Sequence, residues 1–279
     1  MPSLRDGRRH GRPVHRTSGP RADQAPHHGA TRGMAVDLGS SGTRAWVPGR
    51  GLVASPWDDA SGRPVRRGRI VDAESCGRLL GRLADTVLGA DRHGSVIVLS
   101  HPVLAGAEQR ALAGELLAAL GPSRAVVLSS ARAAAEYTGP QGGGGPLLVV
   151  DMGAELTEVT LLVDGTVADA RQAETGLSDL TTEALPAELA RNVMDMITSM
   201  WRQDKHGAVR GALRKGPVLT GGGALHPEVT HRIALRLGTP VRPAADPSTA
   251  VVRGAGLILD SVLRHGGTSA VSARPGRLR

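Results

Sequence analysis

The chain has 279 residues, a formal net charge of +8 and 40% hydrophobic residues, enough for a sizeable core. With no Phe, one Tyr and three Trp, that core must be built from Leu, Val, Ala and Ile, and rings on which bases could stack are too few for a single-strand nucleic-acid platform. The single cysteine, Cys76, excludes an intramolecular disulfide and a cysteine zinc site, and no apolar run reaches the roughly 18 residues of a membrane span.

The charge is uneven. Residues 1–33 carry seven arginines (Arg5, Arg8, Arg9, Arg12, Arg16, Arg21 and Arg32) against Asp6 and Asp23, a net of +5 that leaves +3 for everything else. Lysine is confined to Lys205 and Lys215, a bias that reads as GC-rich codon use before phosphate recognition. This segment has no hydrophobic periodicity and is expected to be disordered. His10, His15, His27 and His28 lie in it, with nothing to fix a metal geometry. It lacks the apolar h-region of a secretory signal, and Met34 is a second candidate start. A cytoplasmic protein is expected, with the arginine-rich segment available to an anionic membrane surface. Sequence-specific nucleic-acid binding is not expected.

From Met34 the pattern is α/β. MAVDL predicts a strand, and AWVPGRGLVAS a hairpin turning at 48–51. Residues 72–89 predict a helix capped by Asp72, with Cys76, Leu79, Leu80, Leu83 and Val87 on one face. Cys76 is therefore expected to be a buried small hydrophobe. SVIVLS (95–100) predicts a buried strand, 107–120 a helix stopped by Gly121-Pro122, AVVLSS (125–130) another buried strand, and an Ala-rich helix runs to Tyr137. GPQGGGGP (139–146) is a flexible link. The pattern then restarts. LLVVD is a strand, TEVTLLVDGTVADARQ a hairpin turning at Asp164-Gly165, 176–205 helical with an interruption at Pro186, and GPVLTGGGA a strand entering a glycine turn. Helices over 227–237 and 248–264 follow, the last capped at Ser248.

Two segments repeat each other. DLGSSGT (37–43) and DMGAELT (151–157) share D-x-G-x-x-x-T, and each leaves an apolar strand and enters a hairpin. A repeat of this kind implies two related lobes facing a common cleft. A tight turn of small residues presents successive backbone N–H groups to an anion. An aspartate at each strand end suits a hydrated Mg²⁺, which keeps waters beside phosphates. Gly221, Gly222, Gly223 and Ala224 form a third turn, which either admits a flat ligand or simply needs positive φ. His101, before Pro102, reads as a hydrogen-bonded loop histidine.

The order of these elements resembles the actin-like ATPase superfamily, and within it the bacterial actin MreB family, from about Met34 to about Asp260. Residues 37–43 resemble its first phosphate motif, 151–157 lie where the second belongs, and PVLTGGGALHPEV resembles its adenosine motif. GRIVDAESCGRLL and PSTAVVRGAGLILD resemble its two connecting segments, and AAAEYTG its Ala-rich helix. The resemblance implies an α/β, two-lobed, ribonuclease H-like core. It implies nucleotide contacts from Asp37, Gly39, Ser40, Ser41, Gly42, Thr43, Asp151, Gly153, Thr157, Gly221, Gly222, Gly223 and Ala224, and Mg²⁺ held through water by Asp37 and Asp151.

Three departures qualify that expectation. Ala154, Glu155 and Leu156 stand where the second phosphate loop is glycine-rich, and a carboxylate about 4 Å from a phosphate charge repels it by about 1 kcal/mol in water and about 4 at an effective dielectric of 20. Ser130 stands at the place of the water-activating carboxylate or amide, and Ala131 at that of the usual proline; a hydroxyl has no basicity to activate water. Glu136 is the neighbouring carboxylate that could replace it. Finally, the segments that hold a small outer subdomain in each lobe are short, so both subdomains are expected to be reduced or missing.

The expected organisation is a disordered basic extension (1–33), a lobe I core (34–140), a Gly-rich link (141–146), a lobe II core (147–247), a crossing helix (248–264) and a disordered tail (265–279). The expected function is an MreB-like actin homologue in cell shape, wall synthesis or septation, partnered by a full-length actin-like protein or by wall-morphogenesis proteins. It is expected to bind Mg-ATP weakly and to be at most a very slow ATPase, with no catalytic residue assigned. The alternative is a nucleotide-independent scaffold; a small-molecule kinase would need an added substrate domain, for which the chain has no segment.

Overall fold

The computed structural model describes residues 32–56, 62–139 and 144–265. The expectations for the basic extension up to residue 31, the centre of the Gly-rich link and the tail beyond His265 fall outside these residues.

The repeat seen in the sequence is a repeat of whole sheets. In lobe I, β1 (Gly33–Gly39), β2 (Gly42–Val47) and β3 (Gly51–Pro56) form an antiparallel meander. After a two-rung hairpin of β4 (Val65–Arg66) and β5 (Arg69–Ile70) and helix α1 (Ala73–Leu88), β6 (Val96–His101) pairs parallel to β1. Helix α2 (Ala107–Ala119) leads to β7 (Arg124–Ser129), parallel to β6, and α3 (Ser130–Thr138) leaves the lobe. The order is β3-β2-β1-β6-β7.

Lobe II repeats it. β8 (Leu147–Met152), β9 (Thr157–Val163) and β10 (Thr166–Ala173) are the meander, followed by α4 (Leu185–Gln203) and α5 (Ala208–Lys215). β11 (Val218–Thr220) runs parallel to β8; α6 (Pro227–Leu237), β12 (Arg242–Pro243) and α7 (Ala250–His265) complete the chain. The order is β10-β9-β8-β11-β12, the same path as in lobe I. Among the described residues, the outer segment of lobe I holds only the β4–β5 hairpin and that of lobe II only a 3-10 turn (Leu177–Asp179), α4 and α5, so the outer subdomains are reduced.

Apolar periodicity explains the layers. Cys76, Leu80, Leu83 and Ala84 of α1 pack with Met34, Val36, Ile97 and Leu99 on the outer face of sheet I. Leu185, Leu189, Val193, Met196 and Met200, spaced three or four apart, seat α4 on Leu148, Val150 and Met152. Each fully buried leucine is worth about 1.5–3 kcal/mol. A third cluster joins the lobes: α3 and α7 lie between the sheets with Ala35, Val98, Val149 and Leu162. There α7 must come close. Any Cβ at Gly254 would collide with the carbonyl oxygen of Ala133, and one at Gly256 with the Trp46 ring. Arg253, just before these glycines, lies 5.5 Å from the Trp46 ring centroid and 5.8 Å from that of Tyr137, and Tyr137 donates to Asp246 at 2.7 Å.

Asp72 caps α1 as expected, accepting from the Ser75 N–H at 2.9 Å, and Asp164-Gly165 is the turn between β9 and β10, both with positive φ. Cys76 is fully buried, and its thiol is pushed up to about 11 by burial. Four expectations need correction. β7 is an edge strand with Arg124 and Ala125 exposed, because an apolar run does not reveal its neighbours. Pro186 opens α4 instead of interrupting a helix, since a first-turn proline gives up an N–H that has no helical partner, and of residues 176–184 only Leu177–Asp179 is helical, as a 3-10 turn. Ser248 lies inside a 3-10 turn, Pro247–Thr249, ahead of α7 and does not cap it. The β4–β5 hairpin and α5 were not anticipated.

Candidate functional site

The two D-x-G turns face one cleft of about 420 Å³ between the lobes. Of the expected site residues, Asp37, Gly39, Ser40, Ser41, Asp151, Gly153, Gly221 and Gly222 line it. Gly42, Thr43, Thr157, Gly223 and Ala224 do not: all are buried behind the turns, Thr43 and Thr157 by strand pairing to Leu38 and Met152. Thr157 donates to the Thr175 carbonyl at 2.8 Å, whereas the Thr43 hydroxyl is buried without a partner. Ser130 lines the cleft, whereas Glu136 lines a separate hollow of about 600 Å³ beside β7.

Strand register sets the cleft floor. Asp37 pairs with Arg44 across β1–β2 and with Ser100 on β6; Asp151 pairs with Glu158 across β8–β9 and with Thr220 on β11. Ser100 donates to Asp37 at 3.0 Å. Glu158 is buried, accepting from the Val103 N–H at 2.9 Å and from the Ser130 hydroxyl at 3.3 Å. Four carboxyls, Asp37, Asp151, Glu155 and Glu158, thus stand among the residues lining the cleft, with Arg44 the single arginine among them. Burial raises Asp37 against the opposing pull of Arg44; burial and then the charge of Asp37 push Asp151 up to about 6; burial and then the charge of Asp151 push Glu158 up to about 7. His101 is lowered by burial, with Nδ1 at 2.6 Å from the Pro102 carbonyl; the hydrogen bond expected of it is there, but the residue ends strand β6 and lines the cleft instead of lying in a loop.

The second turn is occupied by the protein's own groups. The Gly153 N–H donates to the Leu156 carbonyl at 2.8 Å, closing the turn on itself. The carbonyls of Gly153 and Ala154 accept from Leu177 (3.1 Å) and Ser178 (2.7 Å), and a Cβ at Gly176 would strike Ala154. Glu155 is 4% exposed and points to lobe I, accepting from the Arg67 N–H at 3.0 Å and from Arg63 at 3.4 Å. The glycine turn is similarly filled: Gly221 has φ +79°, a Cβ there would lie 2.6 Å from the Asp151 carboxylate, and one at Gly222 2.7 Å from Leu177. Gly221 thus has the positive φ expected of it and lets the turn lie against β8, while Gly221 and Gly222 still line the cleft.

A Mg-nucleotide therefore fits one half of the cleft. Asp37 and Asp151 have the chemistry to hold a hydrated Mg²⁺ whose remaining shell is water and phosphate, and Ser40 and Ser41 border it. Among the described residues no group of three or more His, Cys, Asp or Glu could hold a metal alone. The second turn fits less well, because Ala154 and Leu156 stand where glycine would admit a phosphate and the buried Glu155 adds a carboxylate.

No family model matches the chain, and no curated protein does. Solved structures do. MreB5 of Spiroplasma citri bound to ADP superposes with a TM-score of 0.71 at 13% identity, over 86% of this chain and 99% of that one. The fold is that of the actin-like ATPases. MreB5 bound to AMPPNP gives 0.69 at 13% identity over 85% of this chain and 98% of that one, and the ethanolamine utilization protein EutJ from Carboxydothermus hydrogenoformans 0.52 at 19% over 80% and 88%. Among the described residues no helix is long and apolar enough to cross a membrane.

Glu158, Arg44 and Arg67 escaped the sequence reading. For Glu158 a signal existed: a carboxylate inside the apolar run of TEVTLLV, which a buried strand carries only for a reason. For Arg67, which pairs with residues 88 to 112 positions away, there was none.

Proposed function

We propose that this chain is an MreB-like structural protein that binds Mg-ATP weakly, hydrolyses little or none of it, and works in cell shape, wall synthesis or septation beside a full-length actin-like protein. The observation that supports weak binding is the second turn, where Ala154 and Leu156 replace glycine and the buried Glu155 is held by lobe I. Low turnover is supported at Ser130, whose hydroxyl is spent on Glu158. MreB5 binds ADP and AMPPNP, and the half-cleft of Asp37, Ser40, Ser41 and Asp151 is what this chain has for the same purpose.

Thermal unfolding with and without Mg-ATP tests this. A ligand that binds only the native state stabilises it by RT ln(1 + [L]/Kd), about 1.4 kcal/mol for a millimolar Kd at tenfold excess. A rise of that size with no phosphate release is the expected outcome; turnover well above background would refute it. The second reading, a nucleotide-independent scaffold, is supported by one observation: Glu155 and Glu158 of the second hairpin both bind lobe I, so the lobes are joined without a ligand. No shift at any Mg-ATP concentration would select it.

A further inference from the structure

In a two-lobed protein the bound ligand usually draws the lobes together. Here a lobe I hairpin reaches the corresponding surface of lobe II. β4 and β5 are joined by Arg67 (φ +48°) and Gly68 (φ +72°), a two-residue turn with both central φ positive. Arginine is an uncommon residue for that backbone, which glycine or asparagine adopts at lower cost. The Val71 N–H closes the hairpin on the Pro64 carbonyl at 2.9 Å, and Gln109 of α2 fixes it to lobe I, accepting from the Ile70 N–H at 2.8 Å and donating to the Ile70 carbonyl at 3.4 Å.

Its outer edge is basic and meets acid. Arg63 and Arg66 approach Glu155 at 3.4 and 3.9 Å, Arg67 pairs with Asp179 at 2.9 Å and also donates to the Glu174 carbonyl, and Arg69 pairs with Glu174 at 3.0 Å. The Arg67 N–H completes the set on Glu155. Below the ion pairs, Gly68 sits where a Cβ would lie 2.8 Å from Leu156 and 2.6 Å from Pro102. The residues that replace glycine in the second turn, Glu155 and Leu156, are thus the ones the hairpin holds.

We propose that the β4–β5 hairpin is an interlobe latch, which closes the cleft in place of a ligand by clamping the second turn and the 174–179 segment of lobe II. Glu155 and Leu156 are residues of a lobe–lobe contact that has taken over the turn. The latch is ionic at its rim, so it opens at high salt, where the screening length at 1 M falls to about 3 Å. Opening exposes the carboxyl floor, which makes the latch the device that controls access to the cleft. This goes beyond the nucleotide reading: ATP affinity and lobe separation are measured separately and can fail separately.

The test is an interlobe distance in the full chain by double spin labelling. Exposed Glu115 of α2 and Leu235 of α6 are changed to cysteine; Cys76, buried and with a raised pKa, does not compete for label. The unmodified latch should give one narrow distance at low salt. Glu155→Gln with Glu174→Gln and Asp179→Asn should add a longer one, as should 1 M NaCl. Should the lobe II variant not fold, Arg63→Gln with Arg66→Gln, Arg67→Asn and Arg69→Gln removes the same ion pairs from the lobe I side. Arg67→Asn keeps the backbone and the N–H to Glu155 while deleting the guanidinium, and should give an intermediate population. An unchanged narrow distance in folded latch variants would overturn the proposal.

Discussion

Arg44 and Glu158 occupy the same place in the two lobes. Each stands across the first hairpin from the aspartate ending the preceding strand, Arg44 from Asp37 and Glu158 from Asp151. Where lobe I sets a cation, lobe II sets a third carboxyl, and the cleft floor becomes a place that holds protons more readily than phosphate.

That arrangement makes stability depend on pH. The folded Glu158 is pushed up to about 7, above its value in an unfolded chain, so between roughly pH 4.5 and 7 the folded state binds more protons than the unfolded. Stability therefore falls as pH rises through this window, by on the order of 3 kcal/mol at about 1.4 per unit. Denaturant melts at pH 5 and pH 8 should show it, and Glu158→Gln, which keeps an acceptor for Val103, should lose most of the difference. An unchanged difference in that variant would place the effect elsewhere.

Glu155→Ala should cost about 1–3 kcal/mol, the range for hydrogen bonds to a charged group, discounted because Arg63 and Arg66 are about half exposed or more. In 1 M salt the cost should shrink. A cost that is the same at low and high salt would mean that packing, and not the ion pairs, carries the contact.

Ser130→Glu returns a carboxylate to the position where a water-activating group is expected. Here it would meet Glu158, 3.3 Å from the serine hydroxyl, in a buried site. The variant should melt lower than the parent, by roughly 1–3 kcal/mol for an unpaired buried group, and release no more phosphate from ATP. A gain in turnover would show that the second turn admits the nucleotide after all.

Gly254→Ala tests the joint between lobes. Its Cβ has no room against Ala133, so α7 must shift from α3. Overpacking of this kind costs about 1–3 kcal/mol, and the shift should also disturb Arg253 between Trp46 and Tyr137, readable in tryptophan fluorescence. An unaltered melt would mean that the two helices are not in this contact.

Much of the fold was legible because it is periodic and repeated. D-x-G-x-x-x-T, the apolar run of β8, the Asp72 cap and the 3.6-residue face of α1 are local, and local patterns survive in one chain. The edge position of β7 was not legible, since sheet order depends on which neighbour arrives. At the site, Asp37 and Asp151 could be found by motif, and the loss of glycine at Ala154–Glu155–Leu156 could be noticed. What replaced the lost function could not: Glu155 meets Arg67 at a separation of 88 residues, through a turn whose backbone is uncommon for arginine.

The most direct measurement is a calorimetric titration of the full chain with Mg-ATP. The second turn, with Ala154 and Leu156 in place of glycine and Glu155 held by lobe I, predicts no saturable heat below the millimolar range, where Kd of 1 mM corresponds to about −4.1 kcal/mol. One-site saturation at micromolar ATP would contradict it, since Glu155 would then have to leave the partners that hold it here.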